Sequence, residues 1–593
     1  MGNPVCLKAA LSGKAPTKSC AEDGGFWGSL KKVFTLKLRA AMNQLSMQPC
    51  GTPSEHPTRQ PWRWLFVLLL AAWTSGCASL PSAVERPVSY ALTTPLDTPL
   101  GRTMQASAAA ARTRNDSGFA LVNSAELAFT SRMALINAAQ KTLDIQYYAI
   151  HADETTERMF DALRAAGERG VRIRILLDDF NTVGKNAQVL KLAFEKNISM
   201  RLFNPLPGSR GSMFLRILTS LKDVDRIQRR MHNKIFVADN AVAITGGRNL
   251  GETYFGQSEG TNFVDADVLA AGRIVRELSR SFDQYWNNPL AYPVQSLMTA
   301  KELEALKPLP KAPKSLEAPP ALSAETSPVS PAASGIPTST ASTLPDTTNL
   351  TNLSWTWAPS VLMVDKASKI AADADAVEQA QDTTVDGLLQ LMGDAKSNLL
   401  IVSPYFVPGD RMMAQLAAIR KKNVRIRVLT NSLASNDAPA AHVGYARYRK
   451  ELLGMGIEIY EMRAEQGGTL SSFSGFGSAG SAGGSRASLH SKIVVLDDAL
   501  LVIGSMNLDL RSQLQNSEVA LVISSRKLAL ETTQLIEPAM ARGAYKVELV
   551  DGQLVWRAPQ GSQLKDSKTE PDASFALKLI LKLIGPFAPE EML

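Results

Sequence analysis

The sequence predicts an α/β protein made of two similar α-β-α lobes packed face to face in one chain, with a site where the lobes meet. Three observations lead there. The segment KTLDIQYYAIHADETTERMFDALRAAGERGVRIRILLDD, starting at 141, reads as apolar strand, loop, amphipathic helix and β-branched strand, and SNLLIVSPYFVPGDRMMAQLAAIRKKNVRIRVLTNS, starting at 397, repeats that order. Each repeat runs on to a histidine and a lysine two residues apart, in RRMHNKIFVADNAVAITGGRNLGE (229–252) and RASLHSKIVVLDDALLVIGSMNLDLRS (486–512). Between the repeats, residues 302–358 are rich in Pro, Ser, Thr and Ala and cannot bury enough apolar surface to order themselves, so they read as a linker. Strand–helix–strand alternation favours a largely parallel sheet covered by helices. The duplication favours two such lobes.

In chain order this gives a leader over 1–76, a tether over 77–115, a first lobe over 116–301, the linker over 302–358, a second lobe over 359–550 and a tail over 551–593. In the leader, Arg63 precedes an apolar run from Trp64 to Trp73, and small residues lead to Cys77. That run is too short to span a bilayer and has the layout of a secretory signal. The Ser75-Gly76-Cys77 step resembles the lipobox of bacterial lipoproteins, whose cysteine is lipidated, with Thr74 where that pattern has Leu or Val. The residues upstream point to true initiation at Met42 or Met47. This reading places the chain in a bacterial envelope as a membrane-anchored lipoprotein facing the periplasm. In the tail, SFALKLILKLIGPF (574–587) sets Leu577, Leu581 and Ile584 on one side of a helix and Lys578 and Lys582 on another, ending at Gly585-Pro586. A membrane-surface contact and an ordinary packing helix both fit it.

Charge and cysteine use narrow the function classes. The formal charge is +8, but residues 1–76 hold nine Lys or Arg against three Asp or Glu, so the rest carries only about +2. That is too little to imply a nucleic-acid partner by itself. All four cysteines, Cys6, Cys20, Cys50 and Cys77, lie at the N-terminal end, so the body has no disulfide framework and no thiolate metal site. Neither a metal nor another cofactor is called for.

In IFVADNAVAIT and IVVLDDALLVI, two β-branched runs flank Asp-Asn or Asp-Asp, as in a pair of strands joined by a tight turn. Residues two apart on a strand project the same way, so His232 shares a face with Lys234, and His490 with Lys492. Asp239 and Asp497 fall at the turns and out of phase, and read better as groups that fix the turn or buttress the lysine. GGRN (246–249) and GSMN (504–507) then bring small residues and the amides of Asn249 and Asn507 back toward the site, and DAD (265–267) and NSE (516–518) add Asp267 and Glu518. One such histidine would be unremarkable. Two copies among five histidines, each followed by small-small-x-Asn, are not, whereas His151 and His442 have no such context.

With H-x-K-x-x-x-x-D and G-[GS]-x-N both present twice, the chain resembles the phospholipase D superfamily, and within it bacterial cardiolipin synthases of the C type. VSPYFVP (402–408), TNSLASND (430–437), AHVGYARYRKELL (441–453) and ASLHSK (487–492) add to the likeness, while the 302–358 stretch and the loop GGTLSSFSGFGSAGSAGGSR (467–486) look expanded. The resemblance implies a catalytic set of His232, Lys234, Asp239, His490, Lys492 and Asp497, with His232 as nucleophile and His490 as general acid, then base. Lys234, Lys492, Asn249 and Asn507 would neutralise the phosphate, and Asp267 and Glu518 would orient the imidazoles. It further implies phospholipid substrates, phosphatidylglycerol and perhaps phosphatidylethanolamine, at a membrane surface, joined through a phosphohistidine into cardiolipin. A hydrolase releasing phosphatidic acid and an exported nuclease would use the same histidines. A non-enzymatic protein would not need both motifs complete.

Overall fold

The computed structural model describes residues 80–113, 116–208, 210–211, 213–220, 223–298, 302, 348–371, 383–464 and 486–584. The leader with Cys77, most of the 302–358 stretch, nearly all of the 467–486 loop and Gly585-Pro586 lie outside them. Both lobes belong to one unit, Gly76–Leu593.

The first half carries β1 (Ser117–Val122), β2 (Thr142–Tyr147), β3 (Arg172–Asp178), β4 (Ile198–Phe203), β5 (Ile235–Ala238), β6 (Val242–Gly246), β7 (Thr261–Val264), β8 (Asp267–Gly272), β9 (Ala291–Pro293) and β10 (Thr356–Ala358). All but β7 form one sheet, ordered β10-β1-β8-β6-β5-β2-β3-β4-β9. The second half carries β11 (Ser360–Val364), β12 (Asn398–Val402), β13 (Arg425–Asn431), β14 (Glu458–Met462), β15 (Arg486–Leu489), β16 (Ile493–Leu496), β17 (Leu500–Gly504), β18 (Val519–Ser524), β19 (Ala544–Val550) and β20 (Gln553–Arg557). All but β15 form the second sheet, ordered β11-β18-β17-β16-β12-β13-β14-β19-β20. The runs β8-β6-β5-β2-β3-β4 and β18-β17-β16-β12-β13-β14 correspond strand for strand, as the internal repeat requires.

The sheets are mixed, which corrects the expectation of a largely parallel sheet. In each, only the run from β2 through β3 to β4, or β12 through β13 to β14, pairs in parallel. These are the strands joined by helical crossovers. The hairpins β5–β6 and β16–β17, and the strands beyond them, pair antiparallel.

Why the strands read as continuous apolar runs follows from the packing. Alternate residues of a strand face opposite sides of the sheet, and here both sides are buried. Ile235 and Val237 of β5 join a central core with Ile493 and Val495 of β16, whereas Phe236 and Ala238 face the first lobe's outer core, and Val494 and Leu496 the second's. Helices Arg273–Trp286 and Arg526–Gly543 follow β8 and β18 and add Ile274, Val275 and Leu278, and Leu528, Ala529 and Ile536, to the central core. The lobes therefore share one core across their inner faces.

Three boundaries differ from the sequence reading. β10, from the stretch read as linker, pairs with β1, and Trp355 and Trp357 pack on the first lobe's core. The tether is built into the first lobe, with helix Pro99–Ala110 placing Leu100 and Met104 in that core and the Ser89 carbonyl accepting from Arg174. β20 pairs with β19, so the second sheet runs on past 550. Beyond it, the tail forms helix Phe575–Ile584, which exposes Phe575 (81%), Leu579 (43%) and Leu583 (61%) and partly buries Leu577, while the side chains of Leu581, Lys582 and Ile584 lie outside the described ones. Among the described residues no helix is long and apolar enough to cross a membrane.

Asp239 and Asp497 sit at positive φ (52° and 51°), as do Asn240 and Asp498 after them (49° and 53°), the backbone of a two-residue hairpin turn. The Asp239 carboxylate accepts the backbone N–H of Gln140, Lys141 and Thr142 at 2.8–3.0 Å. Asp497 accepts those of Lys396, Ser397 and Asn398 at 2.7–3.0 Å. They fasten the hairpins to the start of β2 and β12. At about 3.3 Å per residue they lie on the order of 20 Å from the histidines, so their membership of the catalytic set is corrected to a structural one. Asp239→Ala, which strands three backbone donors beside a fully buried carboxylate position, is expected to lower unfolding free energy by about 3 kcal/mol in urea titration. Its kcat at a permissive temperature should stay near that of the parent. Asp497→Ala, at a more exposed turn, should cost less.

Candidate active site at the lobe interface

Each motif histidine precedes its hairpin strand and is tied to the opposite lobe. The His232 N–H donates to the Ser517 carbonyl (2.9 Å), and the His490 N–H to the Val264 carbonyl (2.9 Å). The latter contact extends a parallel pairing of β15 with β7, one strand from each half. The imidazoles cross over in the same way. Nδ1 of His232 lies 2.9 and 3.1 Å from the two carboxylate oxygens of Glu518, and Nδ1 of His490 lies 2.7 Å from Oδ2 of Asp265. A carboxylate at Nδ1 keeps the proton there and leaves the Nε2 lone pair available. Among the described residues, neither Nε2 has a hydrogen-bond partner.

The orienting carboxylate on His490 is thus Asp265, where the sequence pattern pointed to Asp267. The sheet register explains the slip. Gly246 pairs with Asp267 and Gly504 with Ala520, so Glu518 corresponds to Asp265. Asp265 and Asp267 lie two apart and share a parity, which the sequence cannot break. Asp267 instead binds Arg132 (2.9 Å) and Arg248 (3.4 Å), all three buried. The small residues of the second motif have matching tasks. A Cβ on Gly247 would meet Asp265 Oδ1 at 2.3 Å, whereas its counterpart Ser505 donates to Glu518 (2.5 Å).

Lys234 and Lys492 are buried, and each donates to the carbonyl of its own motif histidine. Each histidine also feels the opposite lobe's lysine, which places both pairs in one electrostatic site. Asn249 spends its amide on the protein, accepting from the Ala149 N–H (3.3 Å) and donating to the Tyr254 hydroxyl (3.0 Å). Asn507 Oδ1 is buried with no hydrogen-bond partner among the described residues. Two aromatic rings stand against the imidazoles: Tyr148, from the stretch QYYAI (146–150) that the sequence offers for a lipid-facing mouth or for core packing, edge-on to His232 at 5.0 Å, and Tyr254, which the sequence reading did not single out, edge-on to His490 at 5.2 Å. His151 stacks on the far side of Tyr254 at 6.2 Å. His442 lies elsewhere, buried beside Arg449 (3.0 Å) and Glu570 (3.5 Å).

Burial sets the protonation of the site. Burial pushes His232 down to about 4, against the pull of Glu518, and burial with the Lys492 charge pushes His490 down to about 4. Burial lowers Lys234 to about 7 and lowers Lys492 as well. Burial alone would raise Asp265, but its hydrogen bond to His490 and the nearby cations hold it at about 2. Two neutral imidazoles, each with a free Nε2, and two buried ammoniums await an anion. A phosphodiester supplies one, offers phosphorus to an imidazole, and needs a proton on its leaving oxygen.

The sequence matches the family described as "Cardiolipin synthase, PLD-like domain" at residues 133–286 and 388–539, one match in each lobe. The chain belongs to the phospholipase D superfamily. It is 34% identical over 480 residues to cardiolipin synthase C of Escherichia coli (strain K12), covering 79% of this chain and 94% of that one. An uncharacterized protein of Helicobacter pylori (strain ATCC 700392 / 26695) is 30% identical over 526 residues, covering 87% and 97%. The crystal structure of phosphatidylserine synthase from Haemophilus influenzae Rd KW20 shares the fold, with a TM-score of 0.50 at 13% identity over 80% of this chain and 95% of that one. The chain is therefore a phospholipase D-superfamily, lipid-acting enzyme related to cardiolipin synthase.

Two outcomes are expected. Asp265→Asn should lower kcat by about a thousandfold, as loss of an imidazole-orienting carboxylate does elsewhere. Asp267→Asn should act on stability, by about 3–5 kcal/mol for a broken buried pair, with far less effect on kcat. Circular-dichroism melts beside steady-state rates separate the two. The free-enzyme profile of kcat/KM on a soluble diester requires one imidazole neutral and the other protonated, and with both lowered to about 4 it should peak near pH 4 and fall above it.

Proposed function

We propose that this enzyme is a membrane-associated phosphatidyltransferase that makes cardiolipin from phosphatidylglycerol and a second phospholipid through a phosphohistidine. The observation that carries the reading is the pair of imidazoles, each held at Nδ1 by the opposite lobe's carboxylate beside two buried lysines. Nε2 of His232 attacks phosphorus as the bond to the headgroup oxygen breaks, and His490, which takes up a proton as the anionic diester binds beside it, gives that oxygen the proton. The free alcohol leaves, and the phosphatidyl group stays on His232. The terminal hydroxyl of phosphatidylglycerol then gives its proton to His490 and attacks phosphorus. The P–N bond breaks, its electron pair returns to His232, and cardiolipin departs. The phosphohistidine keeps the energy of the original ester, so no nucleotide is needed.

The assignment of His232 and His490 draws on the unequal carboxylates. Glu518 spreads its charge over His232, Ser505 and Ser512, while among the described residues the one side chain that donates to Asp265 is His490. The less divided carboxylate supports the imidazolium better, which suits His490 to carrying the proton. Lys234 and Lys492 neutralise the diester, and Asn507 is free to join them.

The membrane part of the reading rests on two features. Cys77 in its lipobox-like setting would bear a lipid on the periplasmic side of a bacterial envelope. Phe575, Leu579 and Leu583, spaced by four on the tail helix, expose a narrow apolar stripe suited to a second, weak lipid contact.

Purified protein given phosphatidylglycerol alone, and then with phosphatidylethanolamine, should form cardiolipin by lipid chromatography. His232→Ala and His490→Ala should each abolish turnover, and enzyme denatured in detergent at alkaline pH, where a P–N bond survives, should carry a phosphatidyl group on His232. Release of phosphatidic acid alone would make the enzyme a hydrolase. Cleavage of DNA with inert lipid would make it a nuclease.

A further inference from the structure

The two halves repeat each other closely at the histidines but not at the rim around them. β3 and β13 correspond, VRIRILLDD against VRIRVLTNS, yet the residues that follow differ in charge and exposure. After β3, Asp178 and Asp179 are fully buried and paired to Arg230, Arg210 and Arg216. After β13, Asn431 replaces Asp178 and takes over its task of bracing the motif segment, accepting from the Leu489 N–H at 2.8 Å as Asp178 accepts from Met231 at 2.9 Å. The carboxylate of this loop moves outward to Asp437, which is exposed and carries no ion pair among the described residues. Its hydrogen-bond partner is the Tyr405 hydroxyl, which lies 2.9 and 2.8 Å from its two oxygens.

Contacts place its loop beside the second motif: Asn431 at the loop's start donates to the Leu489 carbonyl (2.9 Å), Arg486 donates to the Ala434 carbonyl, and Phe406, next to Tyr405, bridges to Leu508. The charge of Asp437 acts on Lys492 and on Tyr254, the residue whose ring stands against His490. The opposite flank has the opposite sign. Arg511, next to the Ser512 that donates to Glu518 (2.8 Å), acts on Tyr148, the ring against His232. A guanidinium thus acts on the ring against His232 and a carboxylate on the ring against His490, so the pseudo-twofold is broken in the charges around the two histidines.

We propose that Asp437, oriented by Tyr405, receives the hydrogen-bond-donating headgroup of the lipid, glycerol hydroxyls or a primary ammonium, on the His490 side of the reacting phosphorus. This rests on the phosphatidyl-transfer reading, in which His490 protonates the departing headgroup. An ionised carboxylate only accepts hydrogen bonds, so it rewards a headgroup rich in O–H or N–H and gives nothing to one without donors. The headgroup that leaves and the phosphatidylglycerol headgroup that replaces it pass through the same place. Water needs no such contact, so Asp437 also favours transfer over hydrolysis.

The test uses the full chain and its Asp437→Asn, Asp437→Ala and Asp437→Glu variants on three short-chain substrates: phosphatidylglycerol, phosphatidylethanolamine and phosphatidyl-p-nitrophenol, whose leaving group has no hydrogen-bond donor. The Asn and Ala variants should lose about ten- to a hundredfold in kcat/KM on the two natural headgroups. They should stay within about twofold on the aryl ester, and the ratio of cardiolipin to phosphatidic acid should fall. Asp437→Glu should recover part of the loss. Loss on both lipids assigns the shared donor chemistry, and loss on one alone assigns the hydroxyls or the ammonium. Equal loss on all three substrates, or loss on none, overturns the proposal. A parent enzyme that yields only phosphatidic acid sinks the transfer reading while the headgroup comparison still reads Asp437. A parent inert on both lipids sinks the two together.

Discussion

The chemistry of this protein depends on a crossed pairing, in which each half of the chain supplies an imidazole and the other half supplies the carboxylate that holds it. His232 is held by Glu518 and His490 by Asp265, and the backbone of each histidine is bonded across as well. Neither half has a working histidine alone. An imidazole without its carboxylate would turn freely about its side-chain bonds and could present either nitrogen. With it, Nδ1 is committed and Nε2 faces the site.

That arrangement concentrates positive charge where water is scarce. Two lysines buried within reach of each other's histidines are costly to hold charged, and the lowered positions of Lys234 and Lys492 express that cost. The shared central core, drawn from both sheets and from helices Arg273–Trp286 and Arg526–Gly543, offsets it. The result is a site whose dipoles and charges are set by the fold before any substrate arrives. Such a site gains more from an anion than a solvated pair of lysines would, because little water has to be displaced from them.

Much of this was legible from local pattern. The duplicated strand–helix–strand segments, the His-x-Lys pairs and the small-small-x-Asn turns are short-range features, set by strand alternation and turn chemistry. The hairpin turns at Asp239 and Asp497 could be read too, since two consecutive residues at positive φ favour Asp and Asn. What escaped reading depended on partners far away in sequence. The stretch 356–358 has the composition of a linker end, but its Trp355 and Trp357 find a core more than two hundred residues upstream. The tail helix was read as amphipathic, but which side it exposes was settled by what it packs against.

By itself, the sequence determined which histidines and lysines are grouped, because residues at fixed short spacings are placed by the period of a strand and the tightness of a turn. Only the tertiary structure decided which carboxylate serves which imidazole. Asp265 and Asp267 have the same parity on one segment, and the register between β6 and β8 puts the second against Arg132 and leaves the first to face the other lobe. Register is a relation between strands, and a single strand's residues do not carry it. The same holds for the charges around the histidines: Asp437 and Arg511 are ordinary loop and helix charges until the fold sets one to act on Tyr254 and Lys492 and the other on Tyr148.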